Sequence, residues 1–401
     1  MQATPKANRL HIGIFGKRNV GKSSLINRLT NQEISIVSNV AGTTTDSVEK
    51  SMEFLPLGPV VFIDTAGVDD VGMLGEQRVQ KTQKVYDRTD IAIIVCDSEG
   101  WSNYEIELFE QFKNRNIPVV AIVNKQDISS ITENNLEKIK EYVSDVLLIS
   151  LETDVDVVNS VKSLLISKCP EEFISPPSIL GDLVSEKDTV VMVIPVDKEA
   201  PKGRLILPQV QVLRDLLDNR CKVFVSQEAE LMDTLSELKN KPKLVITDSQ
   251  AFSVVDNIVP DDVLLTSFSI LFARMKGDLK EFYLGASKVD SLSDGDKVLI
   301  CESCSHHQID DDIARVKIPR LLTKKSGKKL EFVFHSGHDF PNDLSQYSLL
   351  VHCGACMTNK REVLSRIMKC KSVGLPITNY GIVIAHCLGI LERAIKPFDI
   401  L

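Results

Sequence analysis

The first third of the chain alternates two patterns. Short apolar runs end abruptly on polar residues, and between them apolar positions recur at helical spacing. Leu10–Phe15 runs into a glycine-rich turn, and Lys22–Leu29 follows with a helical pattern. Val60–Asp64, Ile91–Asp97, Val119–Asn124 and Val146–Ser150 repeat the strand-like signal. Short buried runs separated by helical segments predict a parallel sheet with crossover helices. Ligands of such sheets sit at the carboxyl ends of the strands, so the polar residues there are the ones to weigh for chemistry.

The periodicity breaks at Glu171–Ser178, where Pro176-Pro177 predicts a linker. Beyond it, strands are expected at Thr189–Val196, Lys222–Val225, Leu244–Thr247 and Val263–Leu265. Helical stretches at Gln209–Asp218, Glu228–Leu238 and Ser249–Val255 lie between them, and Ala200–Pro208 reads as an irregular excursion. The last third opens near Ser267. It has strand-like runs at Lys297–Cys301, Leu330–Phe334 and Ser348–His352 and helical runs at Asn359–Cys370 and Ile382–Ala394. The Lys324–Lys329 run reads as a solvated turn. A length of 401 residues accommodates two or three domains. The pattern predicts three, all α/β, over 1–172, 178–266 and 267–401.

Composition excludes several classes. Hydrophobic content of 43% and charged content of 25% are those of a globular protein. A net charge of −8 argues against a chain held mainly by nucleic-acid phosphates. No apolar run approaches the roughly 18 residues of a membrane helix, and Met1–Leu10 lacks the apolar region of a secretory signal. The expectation is a cytoplasmic protein with neither a nucleic-acid nor a membrane partner. Its nine cysteines then read as metal, redox or buried residues and not as a disulfide framework. Residues 267–401 hold six of those nine cysteines and six of the seven histidines.

Two constellations carry chemistry. Gly16-Lys17-Arg18-Asn19-Val20-Gly21-Lys22-Ser23 matches G-x-x-x-x-G-K-[ST] between a strand and a helix, with Ser24 next in line. The glycines let backbone N–H groups wrap phosphates, and the helix N-terminus adds positive potential. Lys22 is expected to reach the β and γ phosphates and Ser23 to ligate Mg²⁺. Asp64-Thr65-Ala66-Gly67 closes the next strand: Asp64 can hold Mg²⁺ through water, and the Gly67 N–H can sense the γ-phosphate. Asn124-Lys125-Gln126-Asp127 also follows a strand, and Asp127 can accept both guanine N1–H and N2–H₂, which adenine cannot offer.

Residues 8–170 therefore resemble the Era-like, translation-factor-related GTPases. That resemblance implies GTP and GDP as ligands, GTP hydrolysis, and Thr44, beside Thr43 in a polar loop, as the residue completing the Mg²⁺ shell. The fifth motif of the family falls near Ser150-Leu151-Glu152, which is degenerate. Val68 stands where Ras-like enzymes carry a water-orienting glutamine, so intrinsic hydrolysis should be slow. Asn19 matches the asparagine with which potassium-activated members hold K⁺, which implies K⁺ as an activator.

The second constellation lies in the last third. Cys301-Glu302-Ser303-Cys304-Ser305-His306-His307 is followed by His352-Cys353-Gly354-Ala355-Cys356. Two C-x-x-C pairs leave structural zinc, an iron–sulfur cluster and no metal all open on spacing alone. The order Cys304-x-His306, 45 residues, His352-Cys353-x-x-Cys356 resembles the C-x-H…H-C-x-x-C signature of the HydF family, the GTPase maturases of FeFe-hydrogenase. This resemblance spans the whole chain. It implies a middle dimerisation domain and a homodimer, and a 4Fe–4S cluster on Cys304, Cys353 and Cys356, with His306, His352 or a carboxylate such as Glu302 as the fourth ligand. It implies radical maturation enzymes as the source of a diiron precursor and the apo FeFe-hydrogenase as its recipient. Cys301 falls outside the signature and reads as inert. Cys96, Cys169, Cys221, Cys370 and Cys387 read as buried small residues. His335, His338 and His386 read as structural histidines, and Asp310-Asp311-Asp312 as a helix N-terminal charge cluster. The alternative is an RNA-directed Era-like GTPase with a structural zinc module. Against it, residues 267–401 carry 19 Lys+Arg and 15 Asp+Glu, only +4.

Overall fold

A computed structural model describes residues 5–30, 48–55, 57–65, 84–174, 178–195, 205–303 and 312–400. They form two compact units, residues 1–176 and 177–401. The expected sites Thr43, Thr44, Gly67, Cys304 and His306 lie outside the described residues, as do Val68, Asp310 and Asp311.

The first unit is built on strands β1 (Leu10–Phe15), β2 (Val48–Glu53), β3 (Pro59–Asp64), β4 (Ile91–Cys96), β5 (Val119–Val123) and β6 (Val146–Leu148). Their order is β2-β3-β1-β4-β5-β6, parallel except for the antiparallel β2–β3 pair. β1, β4 and β5 are buried along their whole length, as uninterrupted apolar runs require in a sheet covered on both faces. Leu10, Ile12 and Ile14 face the helices α1 (Lys22–Thr30) and α4 (Val157–Lys168). Phe15, Ala92 and Ile94 face α2 (Asn103–Lys113) and α3 (Glu133–Lys140) on the other side. β2 escapes the hydrophobic pattern because it is an edge strand, polar and largely solvent-facing. The stretch expected to be a linker opens with one helical turn, α5 (Glu171–Ile174).

The second unit contains two four-stranded parallel sheets. One consists of β7 (Thr189–Val193), β8 (Lys222–Ser226), β9 (Leu244–Thr247) and β10 (Leu264–Ser267), in the order β10-β9-β7-β8. The helices α6 (Leu207–Asp218), α7 (Leu231–Glu237), α8 (Phe252–Ile258), α9 (Phe268–Lys276) and α10 (Leu279–Ala286) accompany and follow it. The other consists of β11 (Lys297–Glu302), β12 (Glu331–Ser336), β13 (Leu349–His352) and β14 (Ile377–Asn379), in the order β12-β11-β13-β14. Its helices are α11 (Ile318–Ser326), α12 (Lys360–Ser372), α13 (Tyr380–Leu388) and α14 (Leu391–Ile395). One hydrophobic cluster runs through both sheets: Val191 and Val245 from the first, Leu299 and Leu350 from the second, with Phe252, Phe282 and Ile382 between.

Three local differences from the sequence expectation have plain causes. The expected single helix Ile382–Ala394 is two, because Gly389 takes a left-handed conformation and caps α13. α9 lacks a clean amphipathic stripe because most of its surface is buried. The Lys324–Lys329 run is half helix: Lys324 and Lys325 close α11, and Gly327 ends it.

The shared core predicts that residues 177–401 unfold as one body. Phe252→Ala removes a fully buried ring from that core and should cost about 3–5 kcal/mol. Hydrogen exchange should then show the amides of β7 and β11 losing protection together. Loss confined to the first sheet would mean two independently stable domains.

Candidate functional site

Parallel pairing brings the loops after β1, β3 and β5 to one edge of the first sheet. The turn after β1 requires its glycines. A side chain at Gly16 would place Cβ 2.1 Å from the Val95 carbonyl oxygen, and one at Gly21 would place it 2.3 Å from Asn124 Nδ2. Both glycines and Asn19 have positive φ, so the loop curls back on itself with Asn19 exposed at its turn. Lys22 is buried, and its Nζ donates to the Gly16 and Lys17 carbonyl oxygens at 2.8 and 2.6 Å. Its ammonium thus lies within the curl that the motif reserves for phosphates.

Ser23 Oγ donates to Asp64 Oδ2 at 2.6 Å, which joins α1 to the end of β3. Burial pushes the Asp64 carboxyl above its usual value, against the Ser23 hydrogen bond and the charges of Lys22 and Lys50. Asp64 Oδ1 is buried and has no hydrogen-bond partner among the described residues. A desolvated carboxylate with an orphaned oxygen beside a serine hydroxyl fits a magnesium ion. Ser23 would ligate it and Asp64 would hold it through water, and the ion would neutralise charge on the phosphates.

Asn124 plays a role that its motif does not announce. Its Nδ2 donates to the Val20 carbonyl at 2.9 Å and its Oδ1 accepts from the Leu151 N–H at 3.2 Å. It therefore ties the phosphate loop to the loop after β6. Lys125 has positive φ, and Asp127 is exposed, open to a base. The degenerate fifth motif is an ordered turn: Ser150 N–H donates to Asp154 Oδ2 at 2.7 Å and Thr153 N–H to Ser150 Oγ at 3.2 Å.

The second sheet pair builds another edge. β11 and β13 run in register with Cys301 opposite His352, so Ser303 and Cys353 emerge side by side. Ser303 N–H donates to Cys353 Sγ at 3.1 Å, Ala355 N–H approaches the same sulfur at 3.4 Å, and the Cys353 thiol donates to Ser303 Oγ at 3.0 Å. The N–H groups that serve this sulfur come from the two loops. The N-terminus of α12 is four residues beyond Cys356, and Asn359 caps it by accepting from Glu362 N–H. Burial raises the Cys353 thiol above its usual value. Lys276, on α9, reaches beneath the loop and donates to the carbonyl oxygens of Ala355 and Thr358 at 2.7 and 2.9 Å. The Tyr380 hydroxyl is buried near Cys353, Glu302 and Asp312 and has no hydrogen-bond partner among the described residues. A thiol with N–H donors, an orphaned hydroxyl and a buried cation fit an anionic iron–sulfur cluster, which Cys353 and Cys356 would help to hold. When bound, such a cluster supplies iron sites and a redox charge. Among the described residues alone, no three His, Cys, Asp or Glu side chains converge on a metal position.

His352, expected as a possible fourth ligand, has both ring nitrogens occupied. Arg366 Nη1 lies 3.0 Å from His352 Nε2, and a guanidinium can only donate, so Nε2 accepts. Nδ1 therefore carries the proton and donates to the Cys353 carbonyl at 2.8 Å. Burial, then the Arg366 charge, pull its pKa down to about 4, so the ring is neutral. Arg366 also donates to Glu362 Oε1 at 2.6 Å and to the Gly337 carbonyl at 2.8 Å, and His338 lies 3.0 Å from Glu362. His352 here orients the loop. Of the other histidines expected to be structural, His335 is hydrogen-bonded to Asp339 at 2.9 Å, and His386 Nε2 lies 3.0 Å from Asp290 Oδ2. Cys301 is fully buried in the shared core, and burial pushes its thiol up to about 12. Cys96, Cys221 and Cys370 are buried, whereas Cys169 and Cys387 are half-buried. Asp312 N-caps the turn Ile313–Lys317. Lys276, Arg366 and Tyr380 carry no sequence signal, since none belongs to a motif, and Ser303 is a spacer position of the first C-x-x-C pair.

The Asp64 shift makes a prediction. A carboxyl with a raised folded pKa adds stability below its usual 3.8 and loses it as pH rises through the raised value, so at neutral pH its ionised form is a cost. Asp64→Asn should raise the melting temperature of the nucleotide-free protein by a few degrees. It should also abolish the further rise that Mg²⁺ adds on GDP binding. Thermal melts with and without Mg²⁺ measure both, and an unchanged Mg²⁺ effect would remove Asp64 from the metal site.

Among the described residues no helix is long and apolar enough to cross a membrane. Family models match three successive segments: "50S ribosome-binding GTPase" over residues 11–125, "Hydrogen maturase F dimerization domain" over 179–277 and "Hydrogen maturase F tetramerization domain" over 280–397. The chain is 36% identical over 168 residues to tRNA modification GTPase MnmE of Prochlorococcus marinus (strain NATL2A), covering 40% of this chain and 34% of that protein. It is 38% identical over 135 residues to GTPase Der of Wolinella succinogenes, covering 33% and 28% respectively. The chain thus spans about a third of the length of the curated relatives it matches. A crystal structure of Era from Aquifex aeolicus aligns over 54% of this chain and 92% of that one, at 23% identity and a TM-score of 0.36. A GTPase domain followed by the dimerization and tetramerization domains of hydrogen maturase F is the HydF architecture, and the chain belongs to the HydF family of GTPases.

Proposed function

We propose that this protein is a cytoplasmic, GTP-hydrolysing scaffold that holds a 4Fe–4S cluster and a diiron precursor and delivers the precursor to apo FeFe-hydrogenase. Radical maturation enzymes supply the precursor as cargo. The observation that carries this reading is the bond from Ser303 N–H to Cys353 Sγ: it brings the strand end that leads into Cys304 against the Cys353–Cys356 loop. Cys304, Cys353 and Cys356 then hold the cluster and leave one iron for an exchangeable ligand, as a carrier needs. His352, held through both nitrogens, leaves that position to His306, Glu302 or the incoming cargo. The homodimer is supported by β8, an edge strand with Phe224 and Val225 exposed within the segment matched as a dimerization domain.

In the GTPase domain, Lys22, Ser23 and Asp64 serve the phosphates and Mg²⁺, with Thr44 completing the Mg²⁺ shell and the Gly67 N–H sensing the γ-phosphate. Gly16, Val20, Gly21 and Ser24 shape the phosphate loop, and Asn124, Lys125 and Asp127 select guanine. Asn19 holds K⁺ beside the phosphates.

Two experiments test the reading. Hydrolysis should be slow and several-fold faster in K⁺ than in Na⁺, and Asn19→Ala should erase the difference; equal turnover in the two salts would remove K⁺ from the account. Purified anaerobically, the protein should be brown, carry about four irons and matching sulfide per chain, and scatter light as a dimer. A colourless protein with one zinc would refute the cluster and favour the RNA-directed alternative.

A further inference from the structure

A buried ammonium needs an anion. Lys276 is 3% exposed, and among the described residues no carboxylate pairs with it. Its recorded polar contacts are the carbonyl oxygens of Ala355 and Thr358, and the ring of Phe272 lies 5.9 Å away. Two carbonyls satisfy N–H groups and leave the charge uncompensated, a costly state in the interior. Burial accordingly lowers its pKa to about 8, and the neighbours that oppose this shift are the thiols of Cys356 and Cys353. The same chain provides the comparison. Lys22 is likewise buried and donates to two carbonyls of its own loop, Gly16 and Lys17, in a curl built for phosphate.

We propose that Lys276 is the positioning and counter-charge residue of the cluster site. It holds the Cys353–Cys356 loop open through Ala355 and Thr358, and its charge sets the reduction potential and the retention of the anionic cluster. This inference depends on the cluster reading above. Its location gives it a further consequence. Lys276 is the last residue of α9, inside the segment matched as a dimerization domain, and it reaches a loop of the segment matched as a tetramerization domain. The residue that senses the cluster therefore belongs to the helix that follows β10, so the first sheet of this unit is mechanically joined to the metal loop.

The test uses the full chain, purified anaerobically, as the parent and as Lys276→Gln and Lys276→Arg. Glutamine keeps a donor and removes the charge; arginine keeps the charge. Iron and sulfide content, the midpoint potential followed by EPR, and the rate of iron removal by a chelator are measured, with circular dichroism as the control for folding. The parent and Lys276→Arg should share one midpoint. Lys276→Gln should fold, show a more negative midpoint because the reduced cluster, which carries one more negative charge, loses more stabilisation than the oxidised one, and release iron about 10- to 100-fold faster. An unchanged midpoint and release rate in Lys276→Gln, with four irons in the parent, would overturn the inference and leave the cluster intact as a conclusion. Failure of Lys276→Gln to fold while Lys276→Arg folds would overturn it too, since the charge would then serve the fold. A parent without iron and sulfide would instead remove the cluster reading itself.

Discussion

Parallel strand pairing is the constraint on which both sites depend. When neighbouring strands run the same way, their carboxyl ends lie at one edge, and the loops that leave them begin within a few ångströms of each other. In the first sheet this places the turn after β1, Asp64 at the end of β3 and Asn124 after β5 along one rim. In the last sheet the Cys301–His352 register delivers Ser303 and Cys353 to the same place. Because these strands are buried on both faces, their register is set by how individual side chains interlock with the helices on either side, and that packing indirectly specifies where the polar chemistry stands.

Both rims share a second device. Lys22 and Lys276 come from helices, are buried, and donate to two carbonyl oxygens of the loop they serve. A loop whose carbonyls are drawn onto an ammonium is held in shape, and the ammonium remains a short reach from an anion entering that loop. Keeping such a charge out of water is costly, and an anion bound beside it would offset that cost. The buried Arg366–Glu362 pair and His352 serve a related purpose on the opposite side of Cys353, fixing the carbonyl side of the loop.

Much of this was legible from the residues. The phosphate-loop motif sits between β1 and α1, and Asp64 and Asn124 stand at the ends of β3 and β5, because short apolar runs ending in polar residues can hardly be read as anything but buried parallel strands. The edge strand β2 was not legible, because solvent covers one side of it and its sequence carries no apolar run. α9 was not legible for the opposite reason: it is buried nearly all round and shows no stripe. The break at Gly389 could have been found, since glycine inside a long apolar helical run is a stop signal.

The sequence by itself determined which motifs are present: a glycine-rich turn of the phosphate-binding type, a carboxylate able to pair with guanine, and two C-x-x-C pairs, each encoded in a few contiguous residues. Tertiary structure decided which groups act on those motifs from a distance. Lys276 is 79 residues from Ala355 along the chain, and Arg366 is 14 from His352. Asn124 meets Val20 across 104 residues. No local pattern encodes such pairs, because they arise when packed sheets and helices exclude water and leave each buried polar group to find its partner in three dimensions.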